Sequence, residues 1–178
     1  LPGTFEDRIV DIISFKGQRE NISLGRYPDG RKYWHLMEPS RDSTNGNPLS
    51  DSVIDEIMYH PAIETDDEYI ELYNPTASRV FLTTTEGAWR LDGAVEFTFD
   101  GNISIPSGGR LIVVGFDPRM EMDRLPAFIA AYNTGTLTAG VNIVGPWLGS
   151  LSNAGERLAL EMPLPPDQPD DPISWGIV

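Results

Sequence analysis

The chain contains no cysteine, which excludes a disulfide framework and any thiolate metal site and leaves the redox compartment unreadable. Histidine is scarce as well. Only His35 and His60 are present, too few for the three-histidine sets common in catalytic zinc centres. Basic residues are outnumbered, 13 Lys and Arg against 27 Asp and Glu, for a formal net charge of -14. That charge repels phosphate backbones and anionic lipid, and no local basic patch offsets it, so nucleic acid and membrane surfaces are poor partners. No run approaches the ~20 apolar residues of a membrane span, and no signal-peptide pattern of basic, apolar and small residues follows Leu1. The chain opens without Met and closes on the apolar "ISWGIV", which reads as an excerpt from something longer.

What is present suits a β protein. The 178 residues are 40% hydrophobic and 22% charged, enough for one core with an appendage. They carry 17 glycines and 15 prolines, which punctuate short apolar runs as in all-β domains. Residues 5–15, "FEDRIVDIISF", set Ile9, Ile13 and Phe15 against Val10 and Ile12, a strand covered on both faces. A Pro-Asp-Gly turn follows at 28–30, and 38–51, rich in Pro, Asn, Gly and Ser, reads as a linker. Beyond it strands are expected at 53–59, 68–73, 79–83, 88–91, 95–99, 103–105, 110–116 and 157–162, the run "RLIVVGF" being central because both its faces are apolar. One short helix is expected at 125–132, where Leu125, Phe128, Ile129 and Tyr132 follow helical spacing and Pro126 suits the first turn. The sum is a two-sheet sandwich, with immunoglobulin-like topology its most populated version.

Chemistry is harder to find. The stretch at 53–75, "VIDEIMYHPAIETDDEYIELYNP", invites a metal or acid/base reading, but on a strand Glu56 and His60 stand roughly 13 Å apart, and Pro61 with the β-rich run after it opposes a helical zinc motif. The acids Asp66, Asp67 and Glu68 lie between two strands, as a solvated turn or as oxygen donors for calcium. Asp42, Asn45 and Asn47 raise the same thought without a bidentate acid. Glu71 sits mid-strand, either pointing outward or buried beside an arginine such as Arg90 or Arg157. No nucleophile elbow and no phosphate-cradling loop appear in the sequence. Trp89 reads as core, whereas Trp34 and Trp147 flank turns and are candidates for a carbohydrate platform.

The pieces "VIDEIMYHP", "DEYIELYNPTASRVFL", "WRLDG", "IPSGGRLIVVGFDP" and "GPWLGSLSNAGERLALEMP" resemble successive blocks of the lamin tail domain in its bacterial extracellular form, over residues 52–178. The resemblance implies an immunoglobulin-like sandwich without a catalytic site or cofactor, an accessory module of a large secreted or cell-surface protein that makes protein contacts or spaces other modules. Its carry-over is structural: Glu56 and Glu71 match acidic positions of the first two strands, Asn74 closes "YIELYNP", and Ser152, Asn153 and Gly155 match a tight turn. The family's final strand is expected just after "ISWGIV", while residues 1–37 resemble the terminal strand and tail of a preceding domain of the same kind. Residues 7–15 are therefore expected to pair into the gap, in the same molecule or in a strand-swapped neighbour. A carbohydrate-binding or calcium-dependent adhesion module is the alternative, and a small hydrolase a third reading.

Overall fold

The computed structural model describes residues 11–15, 17–49, 52–62, 67–166, 168 and 170–178. They form an all-β sandwich with a single short helix, in which two principal sheets enclose one core. The first sheet contains β3 (Val53–Met58), β4 (Tyr69–Tyr73), β9 (Arg110–Val114) and β10 (Ile143–Val144), in the order β10-β9-β4-β3. The second contains β6 (Arg90–Gly93), β7 (Val95–Thr98), β11 (Leu148–Gly149), β12 (Leu158–Leu164) and β13 (Ser174–Ile177), in the order β11-β7-β6-β12-β13. A short pair, β5 (Val80–Phe81) with β8 (Ser104–Ile105), and an N-terminal hairpin, β1 (Ser23–Arg26) with β2 (Trp34–Met37), complete the strands. All pairings are antiparallel except β9 with β10.

Alternation builds the core. On β4, Ile70 and Leu72 are fully buried between the sheets, while Tyr69, Glu71 and Tyr73 turn to the other face. Leu91, Val95 and Leu160 meet them from the second sheet, with Trp89, Phe99 and Leu82 closing the ends. Each such side chain contributes ~1.5–3 kcal/mol when fully buried. The strand β9 is covered twice, as its two apolar faces require: Leu111 and Val113 enter the inter-sheet core, whereas Ile112 and Val114 join a second cluster outside it. That second cluster is closed by α1 (Arg124–Tyr132), whose Phe128 is buried against Tyr69 and Phe116, ring centres 5.8 and 6.1 Å away. The helix stops at Asn133, in left-handed conformation at φ 49°, whose N–H donates to the Ile129 carbonyl. Between β6 and β7 the chain reverses at Gly93, φ +119°, where a Cβ would overlap the Arg157 carbonyl.

Two expectations for the N-terminal region are corrected. Residues 11–15 form no strand, and Ile12 and Phe15 are 75% and 74% exposed; residues 5–10 of the expected strand lie outside the described residues. No described strand lies alongside residues 11–15, so they join no described ladder. The connection from residue 38 onward does not run free as a linker either, but folds back on the hairpin. Leu49 N–H donates to the Leu36 carbonyl at 2.7 Å, Asn45 Nδ2 to the Arg26 carbonyl at 2.7 Å, and Tyr27 hydroxyl to Asn47 Oδ1 at 2.7 Å. These side-chain amides replace the partners that an open loop would take from water. Gly17 forms an isolated parallel bridge to Gly176, which ties the N-terminal region to the edge strand β13.

Candidate functional site

The acid-rich stretch at 53–75 becomes β3 and β4, and the ladder sets Glu56 directly opposite Glu71 after a bulge between Ile54 and Glu56. Two carboxylates in that relation repel unless each finds its own partner. Glu56 Oε1 accepts from the Tyr69 hydroxyl at 2.8 Å, while Glu71 Oε1 accepts from Arg110 Nε at 2.7 Å. Arg110 reaches on to Asp55 at 3.2 Å and lies over the Tyr73 ring at 4.6 Å. Its guanidinium is held even more firmly protonated, first by the hydrogen bond to Glu71. Burial, then the bond to Glu56, pushes the Tyr69 hydroxyl above its ordinary range. The arginine of Glu71 is thus Arg110, from the neighbouring strand β9, and not Arg90 or Arg157. Those two serve a different acid. Glu161 on β12 is fully buried and accepts from Arg90 at 2.8 and 3.1 Å and from Arg157 at 2.9 Å, with Arg90 stacked 3.8 Å from the Trp175 ring centre. His60 follows β3 and is exposed, its ring edge-on to Tyr59.

Asn74, next after β4, is fully buried and wholly engaged. Its Nδ2 donates to the carbonyls of Ser78, Ile105 and Pro106 at 2.8, 2.9 and 3.1 Å, and its Oδ1 accepts from Thr76 N–H and Oγ1 at 2.9 and 2.7 Å. One side chain thereby fastens the end of β4 to the end of β8. Ser152, Asn153 and Gly155 form the exposed turn before β12: Ser152 Oγ accepts from Ala154 N–H at 3.1 Å, Ser152 N–H donates to Glu156, and Gly155 takes φ +87°.

The other candidates are dispersed. Asp66 lies outside the described residues. Asp67 accepts from Arg124 on the helix, and its carbonyl accepts from Tyr132 hydroxyl at 2.9 Å. Glu68, one residue on and so facing the other way, accepts from Leu151 N–H at 3.2 Å. Among the described residues no three His, Asp or Glu side chains gather as an ion would need. Trp34 is half-buried under the Arg26 guanidinium, 4.4 Å from its ring centre. Trp147 is not an exposed platform: its backbone N–H donates to the Val114 carbonyl at 3.2 Å, its indole lies against Gly115, and only 6% of the residue is exposed. A polar cleft of about 500 Å³ contains Asp100, Asp117 and Arg119, but Asp117 Oδ1 already accepts the Arg119 and Met120 amides at 2.8 and 3.3 Å.

What sequence reasoning missed is apolar. Among the described residues β3 is the outermost strand of its sheet, and Ile57, opposite the buried Ile70, shares its inward direction yet is 41% exposed. Tyr59 beside it is 49% exposed. Both border a groove of about 420 Å³ whose other walls are Ala94, Leu151, Leu158 and the 152–156 turn, which brings Ser152, Asn153 and Glu156 to its rim. The alternation of Ile57 with Glu56 and Met58 signals a strand, but no local pattern signals that its inner face stays wet. The arrangement offers a sheet edge that no described strand covers and an apolar trough, the two elements that strand addition uses. No family model, no curated protein and no solved structure matches this chain.

Proposed function

We propose that the chain is a non-catalytic, immunoglobulin-like module of lamin-tail type within a larger exported bacterial protein, acting through protein–protein contact at the free edge of β3. The observation that carries this reading is the wet inner face of β3, Ile57 and Tyr59, above an apolar groove. Apolar side chains aimed at a sandwich interior and left in water favour a partner that covers them. Two charged groups that sequence alone nominates for chemistry have structural duties here, Glu71 with Arg110 and Asp67 with Arg124.

Site-specific photo-crosslinking on the cells that make the protein tests it. A crosslinker in place of Tyr59 is expected to trap protein, whereas one in place of Phe81, 59% exposed on the short β5–β8 pair, is not. Equal yields at the two positions would overturn the contact site. Protease added to intact cells is expected to remove the chain, and digestion only after lysis would overturn export. Turnover on a broad hydrolase panel would overturn the non-catalytic assignment.

A further inference from the structure

Two deficiencies in this fold are complementary. At the edge of the first sheet, β3 has no described strand on its far side, and the inner face it shares with Ile57 and Tyr59 opens on the groove under Leu151 and Leu158. At the other end of the chain, Ile12 and Phe15 are three-quarters exposed and residues 11–15 pair with nothing as a strand. Yet residues 9–15, "IVDIISF", have the two-sided apolar composition of a central strand. One edge lacks a described strand, and one apolar segment, anchored only through Asp11 to Arg26 and through Phe15 beside Leu24, Leu36 and Ile177, belongs to no described ladder.

Resting on the reading of the sandwich as an interaction module, we propose that the groove beside β3 receives residues 9–15 of a second copy of this chain, added as a new edge strand. Where the segment is held in its own chain argues for a second copy over the same one. Asp11 bonds Arg26 of the hairpin at 2.6 Å, Phe15 lies with Ile177, Leu24 and Leu36, and Gly17 bridges Gly176 on β13, an edge of the other sheet from β3. In an added strand Ile13 and Phe15 fall on one side and reach the groove, while β3 supplies the backbone partners. Reciprocal exchange closes a dimer, and one-way donation makes a head-to-tail chain. Both partners carry a net charge of -14, so their association should tighten as salt screens the repulsion, the Debye length falling from ~10 Å at ~0.1 M to ~3 Å at ~1 M.

Sedimentation velocity on the full chain, over a concentration series at low and high salt, tests this. Mass is expected to rise with concentration and at lower concentration when salt is raised. Ile57→Lys removes the acceptor, and Ile13→Asp with Phe15→Asp removes the donor; each is expected to weaken association at least ~10-fold, as loss of a buried apolar anchor does. Mixing the two variants is expected to restore a one-to-one complex, since one keeps the groove and the other the segment, an outcome that misfolded variants could not give. A monomer at every concentration, association that both variants leave unchanged, failure of the mixture, or weakening by salt would each overturn self-pairing. A monomer together with Tyr59 crosslinked to a different protein would overturn the second copy as occupant and leave the interaction module standing.

Discussion

The sandwich from residue 52 onward and the hairpin with its return at 17–49 are held together in different ways. In the sandwich, Ile70, Leu72, Leu91, Leu111, Val113 and Phe99 are buried almost completely, and each contributes ~1.5–3 kcal/mol. In the hairpin region Met37 is the one buried residue among those described before Ser52. Its remaining order comes from side-chain bonds such as Asn45 to Arg26 and Ser40, Asp29 to Asn45, and Arg26 to Asp11 and the Arg31 carbonyl. Bonds of this kind exchange with water and net only ~1 kcal/mol each. A region built on them opens more readily than one built on burial, so the hairpin should exchange and fray while the sandwich stays closed.

The two tryptophans proposed from sequence as a binding platform offer the largest contrast. Trp147→Ala empties part of the sandwich core and is expected to cost ~3–5 kcal/mol. Trp34→Ala loses a stack under Arg26 worth ~0.5–1 kcal/mol and should leave the main transition almost unmoved. Urea unfolding followed by far-ultraviolet circular dichroism measures both. Equal costs would mean that the hairpin and sandwich unfold as one unit, and the contrast would fail.

Two asparagines repeat the comparison at lower amplitude. Asn74→Ala takes a donor from the Ile105 carbonyl in a buried position and leaves the Thr76 N–H without its acceptor, while the Ser78 and Pro106 carbonyls keep Thr76 Oγ1 and the Gly109 N–H; it is expected to cost ~2–3 kcal/mol globally. Asn45→Ala releases the Arg26 carbonyl and Ser40 hydroxyl near solvent, at ~1 kcal/mol. Hydrogen exchange should show that second loss at the Leu49 amide, which bonds the Leu36 carbonyl, and leave β4 and β9 protected. Faster exchange in β4 on mutating Asn45 would sink the separation.

Much of the sandwich is legible in the residues themselves. The alternation of "YIELY" delivers β4 with its buried and outward faces, the doubly apolar "RLIVV" delivers a strand covered by a sheet on one side and a helix on the other, and the spacing from Leu125 to Tyr132 delivers the helix to within one residue. What is missed depends on neighbours remote in sequence. Glu71 takes Arg110 because β4 lies beside β9, an adjacency that no local pattern encodes. Trp147 follows Gly145 and Pro146, a turn signal that suggests exposure, but its backbone bonds Val114 and its ring packs into the inter-sheet core beside Gly115. The two-residue strands β10 and β11 are too short to have a period. The wet face of Ile57 comes from sheet order alone, since edge status is a property of the assembled ladder.

An effect of pH sharpens the contrast from the sandwich side, at the junction of sheet and helix. The Tyr69 ring packs on Phe128 and Tyr132 while its hydroxyl donates to Glu56. Burial first, and then the neighbouring carboxylate, make the phenolate unfavourable there, so the folded protein holds this proton above the ordinary value of 10.0. A group whose titration is raised by folding gives its full stabilisation below pH 10, and that contribution is lost as the pH climbs toward the folded value. Stability of the wild type is therefore expected to fall with pH above 10, with one extra proton released on unfolding. Because Tyr69 is only partly buried, screening limits the effect to ~1 kcal/mol. Tyr69→Phe should flatten that alkaline limb. Glu56→Gln, which keeps an acceptor and removes the charge, should flatten it in part, because burial, the larger cause, is left in place. Urea midpoints between about pH 9 and 11 measure the slopes, and identical slopes in all three proteins would show that the Tyr69 proton is not coupled to folding.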